Sequence, residues 1–318
     1  MESMDNFRER FEALERQTEQ LKHQTHTLAR QARWWRGIAC GVIILALLGI
    51  PLQSGKAQYE GKDLAQRVAD LEYKLEYVSG GPNEVVITGA NLRIVNGLGG
   101  TDCTDDQGRQ IPNCPNGLGN LIVGYNESRT DPAFPPDTRT GSHNIVVGRQ
   151  LNFSSFGGLV VGDLHEISGA FASVSGGFRN TASGNLSSVS GGADNIASAF
   201  VSSVSGGVFN TASGVTAAIS GGQHNTARGV GSSVSGGGEN NTASGDLSSV
   251  SGGTGNTASG FQASVSGGFG NTASGTFASV SGGEHNTASG RFSSVSGGTN
   301  RTAPGEEDWA AGPLFADN

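Results

Sequence analysis

Hydrophobic positions along the chain fall into three regimes with different periods. Met4, Phe7, Phe11, Leu14, Thr18, Leu21, Thr25 and Leu28 follow alternating steps of three and four, and Ala32 and Trp35 continue the series. This is a heptad seam and predicts an amphipathic or coiled-coil helix over residues 1–33, weakened by its two threonines. A continuous apolar run, Gly37 to Leu52, follows Arg30, Arg33, Trp34, Trp35 and Arg36. Sixteen such residues reach roughly 24 Å against a hydrocarbon core of roughly 30 Å, so residues 34–55 predict one transmembrane segment of marginal length. The preceding arginines place the N-terminus in the cytoplasm and the rest of the chain outside it, as a single-pass protein of the cell membrane. Cleavage as a signal peptide near Ala57, at Gly55-Lys56-Ala57, is the alternative and would release a secreted product. The 36-residue helix-patterned stretch before the run argues for a retained anchor. On either reading the segment that follows is extracytoplasmic.

The heptad step returns at Leu64, Val68, Leu71, Leu75 and Val78, predicting a coiled-coil neck over residues 58–79, with "SGGP" at 79–82 as its stop. A helix of two heptads is too short to stand alone and calls for association with copies of itself.

The third regime has a period of fifteen. With Ser173 as position 1, copies begin at Ser173, Ser188, Ser203, Ala218, Ser233, Ser249, Ser264, Ser279 and Ser294, filling residues 173–303. Position 2 is Val174, Val189, Val204, Ile219, Val234, Val250, Val265, Val280 or Val295; positions 4 and 5 are always Gly-Gly, and position 10 is always alanine. Each unit reads as two short strands, "SVS" and "NTAS", joined by glycine corners. Fifteen residues cannot close a core, so successive coils stack strand on strand at roughly 4.8 Å. The fold class is therefore mainly β, a parallel β-solenoid or β-roll of about twelve coils and roughly 60 Å. Copy five has one extra residue in "GGGENNTASG", which the turn absorbs without shifting either strand. Stacking also aligns Asn180, Asn195, Asn210, Asn225, Asn241, Asn256, Asn271 and Asn286 into a predicted ladder of amides bonding along the axis; tolerance of turn conformations is the other reason for asparagine there.

Upstream, "NLIVGYN", "NIVVGRQ" and "GLVVGDL" read as degenerate copies with a more apolar core, so residues 83–172 form an irregular first part of the roll that begins near Asn120, with residues 97–119 and 126–142 as excursions. Pro304, Glu306, Glu307, Asp308 and Trp309 break the phrase, and residues 304–318 read as a cap and tail. A buried valine contributes about 1.5–3 kcal/mol, whereas ordering one residue's backbone costs about 1–2 kcal/mol. One valine and one alanine per coil therefore leave a deficit that burial between chains would offset, and Leu186, Val201, Leu247, Phe277 and Phe292, all at position 14, are candidates for the face that meets a neighbour.

Composition narrows the function classes. The 318 residues include 52 glycines, with 15% charged and 7% aromatic side chains. The net charge of -8 lies outside the repeats, where four arginines balance four acidic residues, so no nucleic-acid footprint is present. Cys103 and Cys114, in a polar loop, suit a disulfide in an extracytoplasmic segment. His224 and His285 share position 7 but stand four coils apart, roughly 19 Å, too far to ligate one metal. His143 and His165 read as surface histidines. "TDCTDDQG", around Asp102, suggests calcium but misses the D-x-[DN]-x-[DN]-G spacing. No catalytic constellation emerges, and no cofactor or metal is expected. Positions 6 and 7 vary from copy to copy; Phe178, Arg179, Val208, Phe209, His224, Phe269 and His285 mark a corner where recognition of a host, polysaccharide or matrix surface would be written. Rows of Thr181 and Ser183 type also suggest an ice- or crystal-binding hydroxyl array, interrupted by Ile196, Arg228 and Pro304, and a passive spacer is a further reading.

The phrase "SVSGGFGNTASG", with "IVVG" and "LIVG" upstream, resembles the head repeat of trimeric autotransporter adhesins, the YadA-like left-handed parallel β-roll, over residues 120 to 303. The resemblance implies three chains side by side on a coiled-coil neck and a role in attachment. The unit here has fifteen residues where that family has fourteen, glycine replaces its second apolar core residue, and no C-terminal β-barrel follows Trp309. The expectation is a non-enzymatic cell-envelope surface protein, a homo-oligomer for which the resemblance implies a homotrimer, held in the membrane through residues 34–55.

Overall fold

The computed structural model describes residues 64–97, 103–104, 107, 109–111 and 115–312, and it falls into two units that meet in sequence between Asn91 and Leu92. The helix expected over 1–33, the membrane segment at 34–55 and the tail from 313 onward lie outside the described residues, as do Asp102 and Cys114, and with Cys114 the expected disulfide. Among the described residues no helix is long and apolar enough to cross a membrane.

In the first unit, helix α1 (Leu64–Lys74) is followed by strands β1 (Val78–Ser79) and β2 (Val86–Ile87), which pair antiparallel with Val78 opposite Ile87. The helix ends earlier than the heptad pattern predicts, at Lys74, while residues 58–63 of the expected neck lie outside the described residues. Val78 leaves the seam to join a hairpin, and "SGGP" turns that hairpin instead of stopping the helix. None of the helical residues is buried, and Leu64, Val68 and Leu71 face outward along the predicted seam.

The second unit is the solenoid. A small antiparallel pair, β3 (Cys103–Thr104) and β4 (Gln110–Ile111), precedes it. The roll then alternates between two parallel sheets. The valine sheet runs through β5 (Leu121–Val123), β6 (Ile145–Arg149), β8 (Leu159–Asp163) and every Ser-Val pair from β10 (Ser173–Val174) to β26 (Ser294–Val295), ending at β28 (Trp309–Ala310). The alanine sheet runs through β7 (Asn152–Phe153), β9 (Glu166–Ile167) and every Thr-Ala-type pair from β11 (Thr181–Ala182) to β27 (Thr302–Ala303). With 13 strands in one sheet and 11 in the other, the roll has about eleven complete turns, one fewer than the repeat count suggests.

Register is set by the repeat itself: Val174 pairs with Val189, and Ala182 with Ala197. The extra residue of copy five leaves both ladders in phase, Thr226 pairing with Thr242 and Ser233 with Ser249. Position 6 forms a third line of bridges, for example Phe178 to Ala193 to Val208, so the variable corner is itself a ladder.

Side-chain alternation directs positions 2 and 10 inward and their neighbours outward. Between the sheets each of the first eight repeats buries its valine, alanine and asparagine together with the residue at position 15, and the ninth buries its valine and alanine. The first coils are packed more heavily, as the upstream sequence suggests. Leu151 and His165 occupy the asparagine position, Phe153 and Ile167 the alanine position, and Val146 and Val160 continue the valine row; all are buried.

The two ends differ. At the N-terminal end the excursion 126–142 covers the alanine sheet. The Phe153 N–H donates to the Thr138 carbonyl, the Gly141 N–H to the Phe153 carbonyl, and the Arg129 guanidinium donates to the carbonyls of Gln150 (2.8 Å) and His165 (2.7 Å). Burial of Arg129 at this post lowers its pKa. At the C-terminal end β28 covers only the valine sheet, where the Ser294 and Ser296 N–H groups donate to Asp308 and Ala310. β27 is the last strand of the alanine sheet among the described residues.

Candidate functional site

Two corners run the length of the roll, and each is built on left-handed backbone. Position 7 has φ between +53° and +67° at Arg179, Asp194, Phe209, His224, Asn240, Gly255, Gly270, His285 and Asn300. Position 14 has φ between +54° and +65° at Phe171, Leu186, Val201, Thr216, Gly231, Leu247, Gln262, Phe277 and Phe292. Asn, Asp, His and Gly are the residues that accept this conformation most readily. The first corner follows that preference and the second does not.

The first corner holds the variable residues singled out from the sequence, and the structure divides them. Arg179 is engaged in fastening the excursion, with Phe178 beside its guanidinium. The Arg179 guanidinium lies 5.6 Å from the Phe178 ring and 5.5 Å from the Phe134 ring, and it pairs with Asp194 one coil on at 2.6 Å. Val208, Phe209 and His224 come together further along. The Phe209 and His224 rings stack at 4.8 Å with planes 8° apart. Phe269 and His285 meet edge to face at 5.2 Å. The result is two exposed ring pairs on a rigid ladder, flanked by Gln223, Glu239 and Glu284 at position 6.

Behind this corner stands the asparagine ladder, whose bonds differ from the expected amide-to-amide chain. The backbone N–H of each asparagine donates to the Oδ1 of the asparagine before it, as from Asn195 to Asn180 and from Asn271 to Asn256, at 2.9–3.1 Å throughout. Each Nδ2 bonds to glycine carbonyls: Asn195 donates to Gly191 at 3.1 Å and to Gly207 of the next coil at 2.8 Å. The side chain therefore satisfies the position-4 glycine carbonyl of its own turn and shares the position-5 carbonyl of the next with a backbone donor, as Gly207 also accepts the Ala193 N–H. The ladder thins at the insertion, where Asn225 is bonded to Gly221 and Asn241 to Gly253, each through a single Nδ2 bond.

The ladder opens on a residue that sequence reading placed on the surface. His165 is fully buried at the asparagine position, and its Nδ1 accepts the backbone N–H of Asn180 at 2.9 Å. Its Nε2 is enclosed, on the side of the Gly177 carbonyl, without a partner at hydrogen-bond geometry. Burial pushes the imidazole pKa from 6.5 down to about 4, against the opposing pull of Asp163, so the ring is neutral near pH 7. His143 is half-buried in left-handed backbone. Among the described residues no three His, Cys, Asp or Glu side chains converge as a metal site would require.

The second corner carries the position-14 residues expected to meet a neighbour, and it adds a row that sequence reading missed. Where position 14 is Thr216, Gly231 or Gln262, the residue just before it is Val215, Val230 or Phe261, and Phe200 precedes Val201. The alternation is visible in the sequence once positions 13 and 14 are read together. Every coil from Phe171 to Phe292 thus shows at least one large apolar side chain here, 38–54% exposed. Phe277 stacks on Phe292 at 5.0 Å and meets Phe261 edge to face at 5.7 Å, while Arg291 lies 4.5 Å from the Phe292 ring. Glu306 and Glu307 end the row in the last coil. Against known proteins, the chain matches no protein-family model and no curated protein.

Proposed function

We propose that the chain is a non-enzymatic cell-envelope protein, held in the membrane through residues 34–55 with its N-terminus in the cytoplasm, that projects a self-associated β-roll for attachment to surfaces or other cells. The observation that carries this reading is the first corner. Core, sheets and glycine turns are held nearly constant from coil to coil, while the pair of residues at positions 6 and 7 differs at every step of an exposed, ordered ladder. That is the pattern of a display surface on a rod. Its ring pairs, Phe209 with His224 and Phe269 with His285, are the groups offered to a polysaccharide or matrix surface. The rolls stand side by side, three chains being the number implied by the resemblance to adhesin head repeats.

The test is to express the full chain in a bacterial envelope, fractionate the cells, and measure retention on polysaccharide, matrix-protein and mineral surfaces. Membrane-fraction protein whose retention falls at least tenfold with Phe209→Ser and Phe269→Ser supports the reading. Full-length chain in the cytoplasmic fraction, or no retention on any surface, overturns it.

One observation favours a second reading. The threonines from Thr181 to Thr302 stand in register on the outward face of the alanine sheet, broken only by Ile196. Such an array suits an ice or crystal lattice. Thermal hysteresis with the purified chain would support it, and its absence would remove it.

A further inference from the structure

We infer that the apolar corner at positions 13 and 14 is the face through which one copy of this chain lies against a second copy, side by side and parallel along the roll. This rests on the reading of the roll as self-associated and names the surface that does it.

The argument begins with an internal comparison. Positions 7 and 14 share the same left-handed backbone. At position 7 the occupants are mainly those that this conformation accepts most readily: asparagine, aspartate, histidine and glycine. At position 14 they include Phe171, Leu186, Val201, Leu247, Phe277 and Phe292. A bulky or β-branched residue is strained there, and the strain is not repaid inside the coil, because these side chains are exposed. Ring contacts between successive coils, such as Phe277 on Phe292, still leave about half of each side chain in solvent, so the fold of one chain does not account for the whole row.

A contact outside the chain does. The compensation between neighbouring positions, Val215 for Thr216, Val230 for Gly231 and Phe261 for Gln262, keeps the stripe unbroken where position 14 lapses.

The occupant follows from period and area. The stripe repeats once per coil, roughly 4.8 Å, over a length of roughly 40 Å. A second roll of the same rise, lying parallel, meets it with the same repeat over its whole length, which a globular partner does not. With about half of each side chain free, the stripe offers on the order of 800 Å² of apolar surface, the amount a stable pair needs from each partner. It stops at Glu306 and Glu307, so the contact ends with the coils.

The test uses the full chain in detergent. Sedimentation first establishes whether the wild-type chain assembles. Leu247→Cys at the stripe and Phe209→Cys at the opposite corner are then oxidised and run on non-reducing gels beside the wild type. The triple variant Leu186→Asn, Leu247→Asn and Phe277→Asn, whose asparagines suit left-handed backbone, is compared by sedimentation and circular dichroism. The inference expects a new cross-linked species with Leu247→Cys and none with Phe209→Cys, and an unchanged dichroism spectrum with at least a hundredfold weaker assembly in the triple variant. Wild-type assembly without a cross-link at 247, or with equal cross-linking at 209, overturns this face alone. A wild-type chain that stays monomeric at every concentration overturns the self-association reading as well.

Discussion

At the scale of the residue, the repeat works by giving one polar side chain a backbone task. Each asparagine closes a glycine turn and tethers the next coil, so its amide is spent on main-chain partners. His165 fills the same post less completely, and the difference carries a pH dependence. Its pKa is depressed to about 4 in the fold against 6.5 when exposed, so below about pH 6.5 the unfolded chain takes up a proton that the native ring refuses. Stability is then full above pH 6.5 and falls as the pH drops toward 4, by on the order of 3 kcal/mol from this group. His165→Asn restores the amide and is expected to move the acid-unfolding midpoint downward with little change at pH 7. An unchanged midpoint in dichroism-monitored titrations would show that the ring is not the acid-sensitive group. The glycine pair offers a second contrast. A Cβ at Gly191 meets open space, whereas at Gly192, with φ of +81°, it would overlap the Gly207 carbonyl oxygen of the next coil. Gly191→Ala is expected to be neutral or stabilising by up to about 1 kcal/mol, and Gly192→Ala to cost more than about 2 kcal/mol, by thermal melts of the two variants.

At the scale of the element, strands of two residues persist only because each sheet continues above and below them. The last coil is where that support stops. In the repeats the position-11 N–H donates to the alanine carbonyl of the next coil, as from Ser289 to Ala303, but in the final copy position 11 is Pro304 and has no N–H to offer. Arg301 stands in the asparagine position, its backbone N–H bonded back to the Asn286 Oδ1. Both changes blunt an edge that would otherwise template another coil. The double variant Pro304→Ser with Arg301→Asn is expected to associate end to end into rods longer than one chain, seen by electron microscopy. Rods of unchanged length would assign the stop to β28 instead. Much of this level was legible beforehand. "SVS" and "NTAS" recur at fixed offsets, and the extra residue of copy five fell in a turn as its position indicated. Other features were hidden for physical reasons. Val78 fitted a helical seam until pairing with Ile87 drew it into a strand. His165 looked superficial because Glu166 and Ile167 disguise the phase of its coil. Left-handed backbone at Leu186 or Val201 could not be read from residues that ordinarily avoid it.

At the scale of the whole molecule, each coil touches only its neighbours, so the roll is close to one-dimensional. Length is then separable from fold. Deleting one whole period, residues 249–263, joins position 15 to position 1 and is expected to leave a folded roll one turn shorter, with a melting temperature within a few degrees of the parent. Loss of β-type dichroism in that deletion would mean that the coils cooperate over longer range than their contacts. The same one-dimensionality gives the single extra glycine-turn residue of copy five, Gly238, an importance beyond its size. Because Asn225, in the coil before it, bonds only Gly221 of its own coil where its counterparts also reach a glycine of the next, a load pulling along the axis would find this turn first. A roll so built would yield at one link, between copies four and five, and part there before its other turns begin to unravel.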